Sequence, residues 1–225
     1  MDDRRRLLKA LAAAGLLGPA GISGLVRDAL AKGEVPIRPG LNRIKGEVIV
    51  NHRVATEGQL IKPGDTVVTG KNSEAIYVIG QDAFMQRELT TIEFGANAVQ
   101  NLMRVVTGKI LSVFGKGAKT IQVSTATIGI RGTGCYIEEE NHGAKARTYF
   151  CLCYGDVELA PAAAPQEAER YATRHHDKPM YIHNDMKMAK MMVPAAVINH
   201  TDAELELLEG LVGRVTPNWG SAPRY

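Results

Sequence analysis

The sequence predicts a mainly β protein: an all-β domain, built as a sandwich or a solenoid-like sheet, with a short helical appendage towards its C-terminal end. Three observations predict it. Apolar stretches are short and rich in Val, Ile and Thr, the residue types that fit a pleated, half-buried surface. Turn signals recur between them at Pro63-Gly64-Asp65, Gly70-Lys71-Asn72, Gly80-Gln81-Asp82, Gly115-Lys116-Gly117 and Asn141-His142-Gly143. Glycine is frequent, at 23 of 225 residues, while 45% hydrophobic and 23% charged residues suit one ordinary globular domain with an appendage.

The first element is an export signal over residues 1–31. A basic cluster precedes a mildly apolar run that ends in the small-x-small site Ala29-Leu30-Ala31. Within it, Arg4-Arg5-Arg6-Leu7-Leu8-Lys9 matches every position of the twin-arginine pattern R-R-x-F/L-L-K, which predicts a periplasmic protein. A retained anchor over residues 10–26 is the alternative. That stretch has only 17 residues between Lys9 and Arg27, diluted by Gly15, Gly18, Pro19, Gly21, Ser23 and Gly24, whereas a span needs about 20 strongly apolar ones. Cleavage is therefore expected, with no membrane span after it.

Charge separates the signal from the rest. Residues 1–31 carry five Arg/Lys and three Asp, net +2 of the total +3, so residues 32–225 are nearly neutral at +1. No Lys/Arg cluster with interleaved aromatics follows, which excludes a nucleic-acid partner.

Residues 46–159 form the predicted β-domain. Strand-like runs are GEVIV, DTVVTG, EAIYVIG, ELTTIEF, GKILSVFG, KTIQVSTATIGI, CYIEEE and TYFCLCYGDVEL. Glu138-Glu139-Glu140 reads as a solvated charge run at a hairpin tip, without the spacing of a calcium loop.

Over residues 58–75, Gly58, Leu60, Gly64, Asp65, Val67, Thr69, Gly70, Ser73 and Ala75 make a series that resembles the FecR domain, with one extra residue before Gly64. The resemblance continues through Thr91-Ile92-Glu93-Phe94, the 108–113 run GKILSV, Ile121-Gln122-Val123-Ser124-Thr125 and Ile130-Arg131-Gly132-Thr133, covering roughly half the chain. It implies a periplasmic all-β domain of the kind that relays iron-uptake signals from an outer-membrane receptor to a cytoplasmic sigma factor. Such regulators also have a cytoplasmic helical segment and a membrane helix. An exported chain cannot reach a sigma factor, so the resemblance implies a soluble binding or sensing module, whose partner is a periplasmic or envelope protein or ligand.

The chain departs from that family at Cys135, where an aromatic or aliphatic residue is usual, and at Cys151 and Cys153 on the next strand. Side chains alternate along a strand, so Cys151 and Cys153 share a face, and Cys135 joins them if the register sets it opposite either one. Three arrangements stay open: a cross-strand disulfide, a metal or cluster site, and buried inert thiols. A twin-arginine passenger folds in the reducing cytoplasm, where a metal is loaded more readily than a disulfide forms. The candidate ligands are Cys135, Cys151 and Cys153 with one of His175, His176 or His183, and the set suits zinc, copper or an iron–sulfur centre.

Residues 160–166, rich in Ala and Pro, read as a linker, and residues 167–225 as a separate His/Met-rich segment and helix. Five of the eight methionines lie there, at 180, 186, 188, 191 and 192; Met188, Met191 and Met192 have helical spacing and offer thioether ligands or packing. Asp177 or another carboxylate is expected to orient a ligand histidine. Thr201-Asp202-Ala203-Glu204 is a capping box opening a helix whose apolar stripe is Leu205, Leu208, Leu211 and Val212, stopping at Gly213.

Catalytic signatures do not appear: there is no nucleophile elbow, phosphate loop or dinucleotide fingerprint. Cys135 or Cys151 with His175 or His176 is the one nucleophile–base pairing to watch. The expected function is a non-catalytic periplasmic binding or sensing module, and the rival is a metal or redox protein on the same scaffold.

Overall fold

Residues 38–96, 102–140, 143–219 and 225 are described by a computed structural model; the expected export signal over residues 1–31 and the expected turn residues Asn141 and His142 lie outside them. The fold is mainly β. Fourteen strands form among the described residues: β1 (Gly40–Lys45), β2 (Val48–Val50), β3 (Arg53–Val54), β4 (Thr66–Thr69), β5 (Glu74–Ile79), β6 (Asp82–Gln86), β7 (Thr90–Phe94), β8 (Leu102–Val113), β9 (Ala118–Gln122), β10 (Ala126–Glu140), β11 (Arg147–Pro161), β12 (Glu169–Thr173), β13 (Met180–His183) and β14 (Met192–Pro194). The helix α1 (Asp202–Leu211) follows, and no described helix is long and apolar enough to cross a membrane.

Three long strands fold the sheet over on itself by changing partners along their length. β8 pairs with β7 and β9 through its first half, then with β6 and β10. β10 leaves β9 for β8, and β11 leaves β13 for β12. The layers meet in one core, where Phe84 of β6 touches Phe94 of β7 at 5.6 Å between ring centres although the two strands are not paired. Almost every pairing is antiparallel, β8 with β9 being parallel, and all fourteen strands belong to one hydrogen-bonded sheet, so the all-β expectation describes the molecule.

A kink at the middle of the β10–β11 hairpin needs two glycines. Gly155 has φ +100, and a Cβ there would sit 2.6 Å from Thr133 Cγ2. A Cβ on Gly134 would land on the Tyr154 ring.

Burial along these strands shows what covers the outer face. Residues 126–131 alternate between buried and exposed, whereas 133–139 and 148–154 are buried on both faces. The inner face contributes Cys135, Ile137, Phe150 and Leu152 to the main core. The outer face contributes Ile76, Val78, Met85, Leu111, Val113, Tyr136, Cys151 and Cys153 to a second cluster, closed by Leu205, Leu207, Leu208, Leu211 and Val212. The C-terminal segment is therefore a cap laid on one sheet face. α1 has the expected form: Thr201 accepts from Glu204 N–H at 3.3 Å, Glu204 returns a bond to Thr201 N–H at 3.0 Å, and Gly213 follows at φ +71.

Four local expectations are corrected. Ala160 and Pro161 are strand residues paired with Thr127 and Ala126, and β12 and β13 add to the same sheet, so residues 160–166 do not divide the chain. Met188, Met191 and Met192 form no helix: Met192 is in β14 opposite Ile182, because the segment after His183 turns back as a hairpin. Glu138 and Glu139 are buried at 7% and 2% exposure rather than solvated; Glu139 accepts from Ser124 and Thr148, and Glu138 from Tyr136 and Asn199. The thiols do not share one face either. Cys135 lies opposite Leu152 and Tyr136 opposite Cys151, which rules out a directly opposed cross-strand disulfide and places Cys135 in the inner core.

Candidate metal centre

Cys151 and Cys153 reach the outer face by strand alternation, and a bulge follows at Cys153. The register passes from Gly134 opposite Tyr154 to Cys135 opposite Leu152, so Cys153 is the extra residue, and both it and Tyr154 turn towards the cap. All three cysteines are free and buried.

His176 arrives from the turn between β12 and β13. Its left-handed backbone, φ 52, lets its N–H donate to the Cys153 carbonyl at 2.9 Å. Asp177 shapes that turn through its carboxylate, which accepts from Arg174 N–H at 2.9 Å and His175 N–H at 3.4 Å. Ring orientation falls to Asp202 instead, the first residue of α1. Its Oδ1 accepts from His175 Nε2 at 2.9 Å and His176 Nε2 at 3.1 Å.

His200 comes from the segment just before α1 and stacks on Tyr136, ring centres 4.6 Å apart and planes 20° apart. Its Nδ1 donates to the Ile198 carbonyl at 2.6 Å. A carbonyl only accepts, which sets the hydrogen on Nδ1 and leaves the Nε2 lone pair facing inwards. The same logic at Asp202 commits Nε2 of His176 and turns its Nδ1 inwards.

Two imidazole nitrogens thus point at one spot. His200 Nε2 and His176 Nδ1 are 3.1 Å apart, and His176 Nδ1 is 3.4 Å from Cys151 Sγ. The donor atoms of Cys151, Cys153, His176 and His200 all lie within 4.8 Å of one another. A tetrahedral ion with ordinary Zn–N and Zn–S lengths would set N···N about 3.3 Å and N···S about 3.6 Å apart. Two edges of that tetrahedron are already nearly at these lengths.

Electrostatics favour anionic sulfur. The Cys151 thiol is drawn down to about 4 by a hydrogen bond from Cys153, against the opposing effect of burial, with further help from His176 and His200. Burial first, and then Cys151, push Cys153 up. Burial opposes charge on His176, but hydrogen bonds to Asp202 and Cys151 outweigh it and raise the ring to about 9. Without metal, the centre is a thiolate beside an imidazolium, with the hydrogen on His176 Nδ1 standing where an ion would be.

Of the predicted site residues, Cys151, Cys153 and His176 are brought together. His175 lies one step out, on the far side of Asp202, and forms with His176 and Asp202 a second cluster of possible ligands. Cys135 is on the other face, where burial raises its thiol. His183 is in β13 opposite Arg147, away from the cysteines. Sequence reasoning missed His200 and saw Asp202 only as part of a capping box. The signal in hand was their adjacency, Asn199-His200-Thr201-Asp202, at the start of the one helix bound to pack against the β-domain.

A single tetrahedral ion suits this geometry better than an iron–sulfur cluster, in which two irons would hold the thiol pair and the imidazole pair apart. Cys151, His176 and Asp202 also line up as nucleophile, base and orienting carboxylate. However, Cys151 is fully buried and the His176 side chain is 0% exposed. Two surface hollows, one around Phe84, Phe94 and Phe114 and one around Met180, Met192 and Pro194, touch none of the four donors.

No protein-family profile matches the chain, and no curated protein matches it. Among solved structures the fold is similar to two crystal structures, at 1.65 and 2.50 Å resolution, of a candidate anti-sigma factor from Parabacteroides distasonis. Their TM-scores are 0.48 and 0.47, at 9% identity over 65% of this chain. The aligned part covers 64% and 63% of those chains, less than two thirds of either, and the likeness is one of β architecture.

Proposed function

We propose that this chain is an exported, non-catalytic sensing module of the periplasm, a FecR-like β-domain whose ligand is a metal ion held by Cys151, Cys153, His176 and His200. One observation carries the reading: two imidazoles, each with its outer nitrogen committed to an acceptor, face each other at 3.1 Å beside a thiolate in a fully buried site. Zinc is the ion that fits best. Two thiolates neutralise a divalent charge, so the filled site is cheap to bury, and four protein ligands leave no open position for substrate. Copper(I) in the same four donors would leave a net negative charge in the core.

Export and periplasmic residence rest on the Arg4-Arg5 signal and on the FecR-like motif series. The test is elemental analysis of the full chain purified from a periplasmic extract. About one equivalent of zinc is expected, lost in Cys151→Ser and His200→Ala and kept in Cys135→Ala. Absence of any stoichiometric metal, or its retention in both ligand variants, overturns the reading. Replacing Arg4 and Arg5 with Lys should leave the chain in the cytoplasm; unchanged export would remove the twin-arginine assignment.

A further inference from the structure

The four donors are shared between two bodies. Cys151 and Cys153 belong to a central strand of the sheet, whereas His200 and the carboxylate that orients His176 belong to the cap. Past Ala195, whose N–H donates to the Pro179 carbonyl, the cap joins no strand ladder among the described residues. Side chains hold it instead. Leu205, Leu207, Leu208 and Leu211 bury against the outer face. Arg87 of the sheet bridges Glu74 at 2.8 Å and Glu204 of α1 at 2.6 Å. At the far end Glu209 accepts from Tyr154, and Arg214 bonds Glu209 and the Gln81 carbonyl, each at 2.5 Å. Apolar packing of one ten-residue helix and these few polar contacts are set against the entropy of ordering the 24 residues 196–219, which makes unaided docking marginal.

We infer that metal occupancy controls how often the C-terminal cap opens: the ion staples residues 196–219 to the sheet, and without it α1, though docked, opens far more often and bares Ile76, Val78, Met85, Leu111 and Val113 each time. This inference rests on the metal reading and adds its consequence. A bound ion must leave before the cap can open, because opening removes His200 and the Asp202 support of His176. Cap opening is then suppressed by one plus the ratio of free metal to its dissociation constant, about a hundredfold at a ratio of 100. The metal signal becomes a change in exposed apolar surface, which is a form a partner can read.

Amide hydrogen exchange on the full chain, with free zinc buffered at about a hundred times its dissociation constant and with zinc removed by chelation, tests this, alongside elemental analysis of the same samples. In the zinc-free chain the α1 amides should exchange faster than those of β8 and β10; zinc should slow them about a hundredfold, to the rate of the interior strands. Arg87→Ala loosens the cap without touching a ligand, so its zinc-free α1 should exchange faster still, and zinc should restore protection. One equivalent of zinc bound, with α1 exchange unchanged, overturns the stapling while sparing the metal site. No zinc bound overturns both. Equal exchange of α1 and the interior strands in the zinc-free chain also overturns the stapling, because the cap would then have no separate opening.

Discussion

Lowering the pH of the metal-free chain from 9 to 5 should leave its stability level at first and then reduce it, and the break point comes from Cys151 and His176. Cys151 has a folded value of about 4 against an ordinary 9.0, so its contribution is present above 9 and is lost as pH falls towards 4. His176 has a folded value of about 9 against an ordinary 6.5, so its contribution is present below 6.5 and is lost as pH rises towards 9. Between 6.5 and 9 the folded chain carries one proton fewer at Cys151 and one more at His176, and the two slopes cancel. Below 6.5 the imidazole is protonated in both states and only the thiolate remains. Stability then falls with falling pH by up to about 1.4 kcal/mol per pH unit from this residue. Urea unfolding in chelator, at half-unit steps with the slope m held constant across the series, measures it. Cys151→Ser should remove the decline below 6.5, and because Cys151 is also one of the groups that raise His176, the His176 contribution between 6.5 and 9 should shrink with it. A wild-type curve that falls between 6.5 and 9, or a Cys151→Ser curve that keeps the wild-type decline below 6.5, would refute the thiolate–imidazolium pair.

Four further outcomes follow from the packing. Leu208→Ala, at a fully buried position in the centre of the cap, should cost about 2–5 kcal/mol in urea unfolding of the zinc-loaded chain, with the sheet's far-UV circular dichroism retained. Thr201→Ala removes the helix cap and should cost about 1 kcal/mol by the same measurement. Gly155→Ala forces a left-handed backbone on a Cβ with no room beside Thr133 and should lower stability by about 1–3 kcal/mol, read as a fall in thermal midpoint. Cys135→Ala should leave zinc stoichiometry and affinity unchanged in a competition titration; weakened binding would put Cys135 back among the ligands.

The β character, the turns and the helix were legible because each is a local signal: Pro63-Gly64-Asp65 and Gly80-Gln81-Asp82 interrupt Val/Ile/Thr runs, and Thr201 and Glu204 announce a helix start. Cys151 and Cys153 on one face followed from strand alternation, and the bulge did not disturb that pair. Cys135 was not legible, since a one-residue change in hairpin register decides whether it meets Cys151 or Leu152, and that register is set by a turn whose geometry no residue pattern specifies. His200 is 47 residues from Cys153, and only the return of the chain through β13 and β14 brings it to the site. Glu138 and Glu139 looked solvated because what covers them comes from other strands and from the cap, Asn199 being 61 residues from Glu138. The run TYFCLCY did carry a warning: seven consecutive residues without a solvent face mark a strand covered on both sides, and hence a cap.

X-ray absorption at the zinc edge of the metal-loaded full chain addresses the central claim most directly. The account predicts one zinc ion with two sulfur ligands at about 2.3 Å and two nitrogen ligands at about 2.0–2.1 Å, the sulfur shell reduced in Cys153→Ser and the nitrogen shell in His200→Ala. A shell of oxygen and nitrogen without sulfur, or one of three sulfurs, would contradict the four-residue centre.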